Sequence, residues 1–172
     1  MGDAMAQKMP EPAEINIRRT YTVIPYGDEK FLKFIIRSSK QGVKDGSLQL
    51  YRDSNEVYFK GSSKIPKDNE GMARLWINGK ETNVEILGEY TSTDGKLTIV
   101  FVSIGNEVKA GYISGYHEEE GSIEGLKRKI PEVVFFEPIT SGIGAEYTGN
   151  QQTIGGITYN IIWIPPVQSG QK

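Results

Sequence analysis

"MARLWINGKETNVEILGEYTSTDGKLTIVFVSIGNEVKAGYISGY", residues 72–116, carries three tight-turn signals between apolar runs. Asn78-Gly79, Asp94-Gly95 and Gly105-Asn106 are pairs that tolerate the positive φ of two-residue hairpin turns. Each turn sets a register. The first places Ile77 opposite Lys80, Trp76 opposite Glu81, Leu75 opposite Thr82 and Ala73 opposite Val84. The second places Tyr90 opposite Ile99 and Gly88 opposite Phe101. The third places Ser103 opposite Val108, Phe101 opposite Ala110 and Ile99 opposite Tyr112. Strand side chains alternate with period two. Ala73, Leu75, Ile77, Val84 and Ile86 therefore share a face, which the register extends through Leu97, Ile99 and Phe101. The expectation is a four-stranded antiparallel meander with one continuous apolar face.

The opposite face of that meander carries Arg74, Trp76, Glu81, Asn83, Glu85, Leu87, Glu89, Val100, Val102, Lys109 and Ile113. Leu87 comes opposite Val102, and Val100 opposite Gly111. An apolar middle ringed by charges is expected to be covered, either by a loop or the N-terminal arm of the same chain or, as the rim and centre of a protein interface, by a neighbouring subunit. Trp76, Leu87, Val100, Val102 and Ile113 are therefore the candidate contact residues.

Outward from the meander the same punctuation continues. Strands are expected over 14–24, 31–39, 47–52 and 56–60, with Leu32, Phe34 and Ile36 on one face. After residue 131 come "PEVVFFEP", a Gly-rich connection over 139–156, and "ITYNIIWIP", in which Tyr159, Ile161 and Trp163 share a face and Trp163 belongs to the core. The fold class is all-β, an antiparallel β-sandwich or jelly-roll-like domain. Residues 1–13 read as an extended N-terminal arm, 14–164 as a single β domain and 165–172 as a polar C-terminal tail.

"GYHEEEGSIEGLKRKIP", residues 115–131, holds the one histidine, His117. Ser122 is a suitable helix cap, and Ile123, Leu126 and Ile130 follow at helical spacing. A short crossover helix near 122–129 is therefore expected. On this reading His117 is a solvated loop residue whose replacement by alanine changes little. One histidine beside carboxylates is a poor zinc set, and Glu118–Glu120 lack the ligand spacing of a calcium loop. No metal and no cofactor are expected.

The totals exclude several function classes. The chain has 172 residues and a formal net charge of −2. A chain this long buries roughly 70% of its unfolded surface and needs no staples. With no cysteine it has neither disulfides nor thiolate chemistry. The balanced charge leaves no electrostatic footprint for nucleic acid. No apolar run reaches the length of a membrane span, and the start has no secretory pattern. The localisation expected is synthesis in the cytoplasm without a signal peptide, with a virion as the alternative destination. No catalytic constellation stands out, so a non-enzyme is expected. The leading expectation is a structural subunit of a larger assembly, such as a virus or phage particle component. It would be a homo-oligomer contacting neighbouring subunits through the outer sheet face and extended termini. A carbohydrate- or surface-ligand-binding module of host-attachment type is the alternative, with Trp76 as the stacking residue. An enzyme with an unrecognised carboxylate site is the third reading.

Overall fold

The computed structural model describes residues 20–26, 32–52, 58–121, 123, 125–139 and 150–168. The extended arm at 1–13, the expected strand positions 14–19, 31 and 56–57, most of the Gly-rich connection (140–149) and the last four residues of the tail lie outside them. Thirteen strands follow in order: β1 (Tyr21–Tyr26), β2 (Lys33–Ser38), β3 (Val43–Lys44), β4 (Gly46–Arg52), β5 (Phe59–Gly61), β6 (Met72–Ile77), β7 (Lys80–Ser92), β8 (Thr98–Ile104), β9 (Glu107–Glu120), β10 (Lys127–Phe135), β11 (Asn150–Ile154), β12 (Ile157–Ile164) and β13 (Val167–Gln168). The described residues are all-β, and they divide into two compact units.

The first unit spans residues 1–58, 137–153 and 157–172. Its five-stranded sheet has the order β1-β2-β4-β12-β11. Val23 pairs with Ile36, Phe34 with Leu48, Leu48 with Trp163 and Leu50 with Ile161. These residues and Tyr159 share one face, and all are buried. The alternation read from the sequence thus places Trp163 in the core. The start of the polar tail is ordered here, because β13 pairs with β3. Gly46 permits the close approach of that segment: a Cβ there would meet the Ile164 carbonyl and the Pro166 ring.

The second unit spans residues 59–136 and 154–156. It contains the meander, and the registers named above are present except that of Leu87 with Val102. The Asn78-Gly79 turn has φ values of 52° and 79°, as a type I′ turn requires. The meander continues into β10, which pairs antiparallel with β9 and parallel with β6. The path β6-β7-β8-β9-β10 therefore returns to β6 and closes a ring. An up-and-down path through an odd number of strands brings its last strand back beside its first in the same direction, which explains the one parallel pair. Closure removes the edges that an open sheet exposes. This unit is therefore a small barrel and not one layer of a sandwich.

The expectation of one continuous apolar face is overturned at Leu87. The β7–β8 register shifts between Ile86 and Gly88, because Leu87 is an extra residue on β7. Ile86, not Leu87, pairs with Val102. A bulge of this kind reverses which side chains face inward. Leu75 and Ile99 consequently lie on opposite faces. The ring interior combines Ala73, Leu75, Ile77, Val84 and Ile86 with Val100, Val102 and Val133, and Ile104, Ile113 and Phe135 pack against them. Leu97, Ile99, Phe101 and Ala110, on the other face, are buried as well.

The expected crossover helix is not found among the described residues of 122–129; Ser122, its expected cap, lies outside them. Lys127–Lys129 belong to β10 and pair with Glu120, Glu119 and Glu118. Gly121 N–H donates to Leu126 O, and Leu126 N–H to Ile123 O, closing the hairpin. Gly125 has φ 85°, outside helical geometry. A two-turn helix must pay the full cost of nucleation, whereas a hairpin here only extends the ladder already begun at residues 111–113 and 133–135.

Candidate functional site

β9 and β10 run on past the ring as a two-stranded arm, residues 115–132. A second bulge sets its orientation. Ile113 pairs with Val133 and Gly115 with Glu132, which leaves Ser114 as the extra residue. Val133 faces the interior, so Glu132, Ile130 and Arg128 face outward by alternation, and their partners Gly115, His117 and Glu119 face outward with them. Trp76 lies between inward-facing Leu75 and Ile77 and is also outward. The bulge therefore brings His117 onto the same surface as Trp76.

There the two rings stack, with centroids 3.7 Å apart and planes 5° from parallel. His117 Nε2 lies 3.4 Å from the Glu119 carboxylate. Arg128 bridges two carboxylates from different strands: one terminal nitrogen donates to Glu119 at 3.2 Å, the other to Glu81 at 2.7 Å. Arg74 stands 3.6 Å from Glu81. The Arg128 hydrogen bond holds the Glu81 carboxyl below its usual range, and the charges of Arg128 and Arg74 add to this against partial desolvation. Glu81 in turn pushes the Arg128 guanidinium up. The sequence reading of His117 as a solvated loop residue is thus corrected: it is a half-buried strand residue packed on an indole.

Beyond this cluster the arm has acid on one strand and base on the other. Lys129 Nζ is 3.7 Å from Glu118 and continues the ladder that Arg128 and Glu119 begin. At the tip, Ile123 is 63% exposed and Leu126 57%. The remaining candidate contact residues lie elsewhere. Val100 and Val102 are fully buried in the ring interior, and Ile113 packs against that core. Leu87 is buried at the first bulge. Only Trp76 remains on an outward surface. The bulge explains the difference, because the sequence reading placed these residues by an uninterrupted alternation.

Glu89, read from the sequence as one of the charges ringing the outer face, is a buried carboxylate. Glu89 pairs with Val100 and so faces inward. Its side chain is 1% exposed. It accepts hydrogen bonds from Ser62 Oγ at 2.9 Å, Lys64 N–H at 2.6 Å, Ile65 N–H at 3.4 Å and Lys67 Nζ at 3.2 Å. Every donor comes from the segment between β5 and β6, whose Ile65 joins the ring core. Glu89 is therefore an anchor that pins this segment into the ring. In sequence it is one acid in an ordinary strand, and nothing local distinguishes it.

Arg128 occupies both Glu81 and Glu119, and Glu119 is the carboxylate 3.4 Å from His117 Nε2. Among the described residues no group of three or more His, Asp or Glu side chains is placed to hold a metal ion. No described helix is long and apolar enough to cross a membrane. No protein-family model matches the chain, and no curated protein or solved structure matches it.

Proposed function

We propose that this protein is a non-enzymatic structural subunit of a larger protein assembly, of which a virus or phage particle is the first kind to test. One observation carries the reading. A closed barrel satisfies its own strand edges, yet this one extends a charged two-stranded arm that presents Ile123 and Leu126 to water at its tip. Apolar side chains held out on a projecting element are better explained by burial against another protein than by the fold itself. The contact surface proposed here is the arm, not the sheet face holding Val100 and Val102.

The carbohydrate reading rests on Trp76 and is the weaker one. His117 already covers one face of the indole, which leaves less of it for a sugar ring. The enzyme reading finds its nearest carboxylates held by Arg128.

The test is the mass of the native species by light scattering, for the parent and for an Ile123→Asp, Leu126→Asp chain. The parent is expected to assemble with rising concentration, and the variant to remain folded and monomeric. A parent that stays monomeric throughout overturns self-assembly; equal assembly by the variant removes the tip from the contact.

A further inference from the structure

We infer that copies of this chain join edge to edge through their arms, the outer edge of β9 in one copy pairing with the outer edge of β10 in the next. This rests on the assembly reading above and names the partner as a second copy.

The first support is the backbone. β8 pairs with β9 only from Glu107 to Tyr112, and β6 pairs with β10 at Glu132. Among the described residues no strand pairs with the outer edges of the arm at 115–120 or 127–129, and Lys127–Lys129 are exposed, whereas Ile130 and Pro131 beyond them are buried. Such edges are templates for strand addition.

The second support is charge. β9 carries Glu118, Glu119 and Glu120, and β10 carries Lys127, Arg128 and Lys129. An isologous contact of β9 with β9 sets glutamate against glutamate. A contact of β10 with β10 sets lysine and arginine against one another. Like charges opposed across strands are unfavourable. The contact of β9 with β10 alone is complementary. It repeats between copies the pairing that each arm already makes within itself, Glu118 to Lys129, Glu119 to Arg128 and Glu120 to Lys127.

The geometry is consistent with the exposed tip. In this pairing β10 of the neighbour runs antiparallel to β9, as the arm's own β10 does, so neighbouring arms point the same way. Their tips come side by side, and Ile123 and Leu126 of successive copies form one apolar stripe. A contact between two different edges is heterologous. It propagates into a ring where the rotation closes and a filament where it does not. The assembly is therefore cyclic or helical, not a two-fold dimer.

The test uses charge reversal in the full chain. One variant carries Glu118→Lys, Glu119→Lys and Glu120→Lys; a second carries Lys127→Glu, Arg128→Glu and Lys129→Glu; a third carries all six. Masses are measured by light scattering, with thermal unfolding to show that the ring is folded. Each three-site variant alone is expected to be monomeric, and an equimolar mixture of the two to assemble. The six-site chain keeps its pairs within the arm and is expected to assemble alone but not with the parent. Should a three-site variant unfold, the six-site chain decides: co-assembly with the parent, or a folded monomer, overturns the edge pairing. A parent that assembles while both three-site variants also assemble overturns the edge pairing and leaves the assembly reading standing. A monomeric parent overturns both, and the arm charges are then devices that keep a free edge from pairing.

Discussion

Glu89 is a single residue with a large structural consequence. Four donors converge on its carboxylate, and two of them are backbone N–H groups. Glu89→Ala strands the two backbone N–H groups, while Lys67 Nζ keeps the Ile65 carbonyl. A loss of about 3 kcal/mol is expected, read as a lower urea midpoint. Trypsin cleavage after Lys64 and Lys67 should accelerate in the same variant, because the segment is released. Glu89→Gln restores the shape but presents an amide N–H₂ to donors, so it should recover only part of the loss. His117 is a milder case. Its ring stacks on Trp76, and such pairs contribute about 0.5–1.5 kcal/mol. His117→Ala should lower stability by an amount in that range and alter Trp76 fluorescence; Trp163 lies in the first unit and serves as the unchanged background. The sequence reading had expected almost no effect, since a lone histidine among glutamates carries no sign of the indole that meets it.

At the scale of the element, the bulges matter more than the turns. Val102 pairs with Ile86 and lies in the ring interior with no exposed surface. Val102→Glu forces a carboxylate into that apolar packing, where an unpaired charge costs several kcal/mol, on the order of 3–5. The unfolding midpoint of the monomeric chain should fall sharply. An unchanged midpoint would mean that Val102 faces outward, as an uninterrupted strand would place it. The tight turns were legible because their information is local. Asn78-Gly79 needs only its own two residues to favour positive φ, and the pairings of β6 through β9 follow from three such pairs as far as the Leu87 bulge. The extra residues Leu87 and Ser114 have no such local chemistry. They sit where the ring must bend and where the arm leaves it, so closure selects them. Gly125 shows the same priority: helical spacing at Ile123, Leu126 and Ile130 yields to a ladder that long-range pairing has already started.

For the whole molecule, the burial of Tyr90 ties stability to pH. Desolvation pushes its hydroxyl up to about 12. The folded value is raised, so the stabilisation is fully present below the unfolded value near 10 and is lost as pH rises toward about 12. Unfolding free energy measured across that window should fall more steeply in the parent than in Tyr90→Phe. At the acid end the sign reverses for Glu81, whose folded value is depressed by Arg128; its contribution is present at neutral pH and fades as pH falls.

By itself the sequence determined the all-β class, the pairings that each of the three turns sets in β6 through β9 short of Leu87, the alternation that buries Phe34, Leu48, Ile161 and Trp163, and the exclusion of cysteine chemistry. These depend on neighbours in the chain or on composition. Tertiary structure alone decided the closure of β10 onto β6, the two bulges, the inward turn of Glu89 and the meeting of His117 with Trp76. The physical reason is the same in each. Which face a side chain presents depends on the count of residues between pairings, and one extra residue, admitted only because the ring must curve, reverses it.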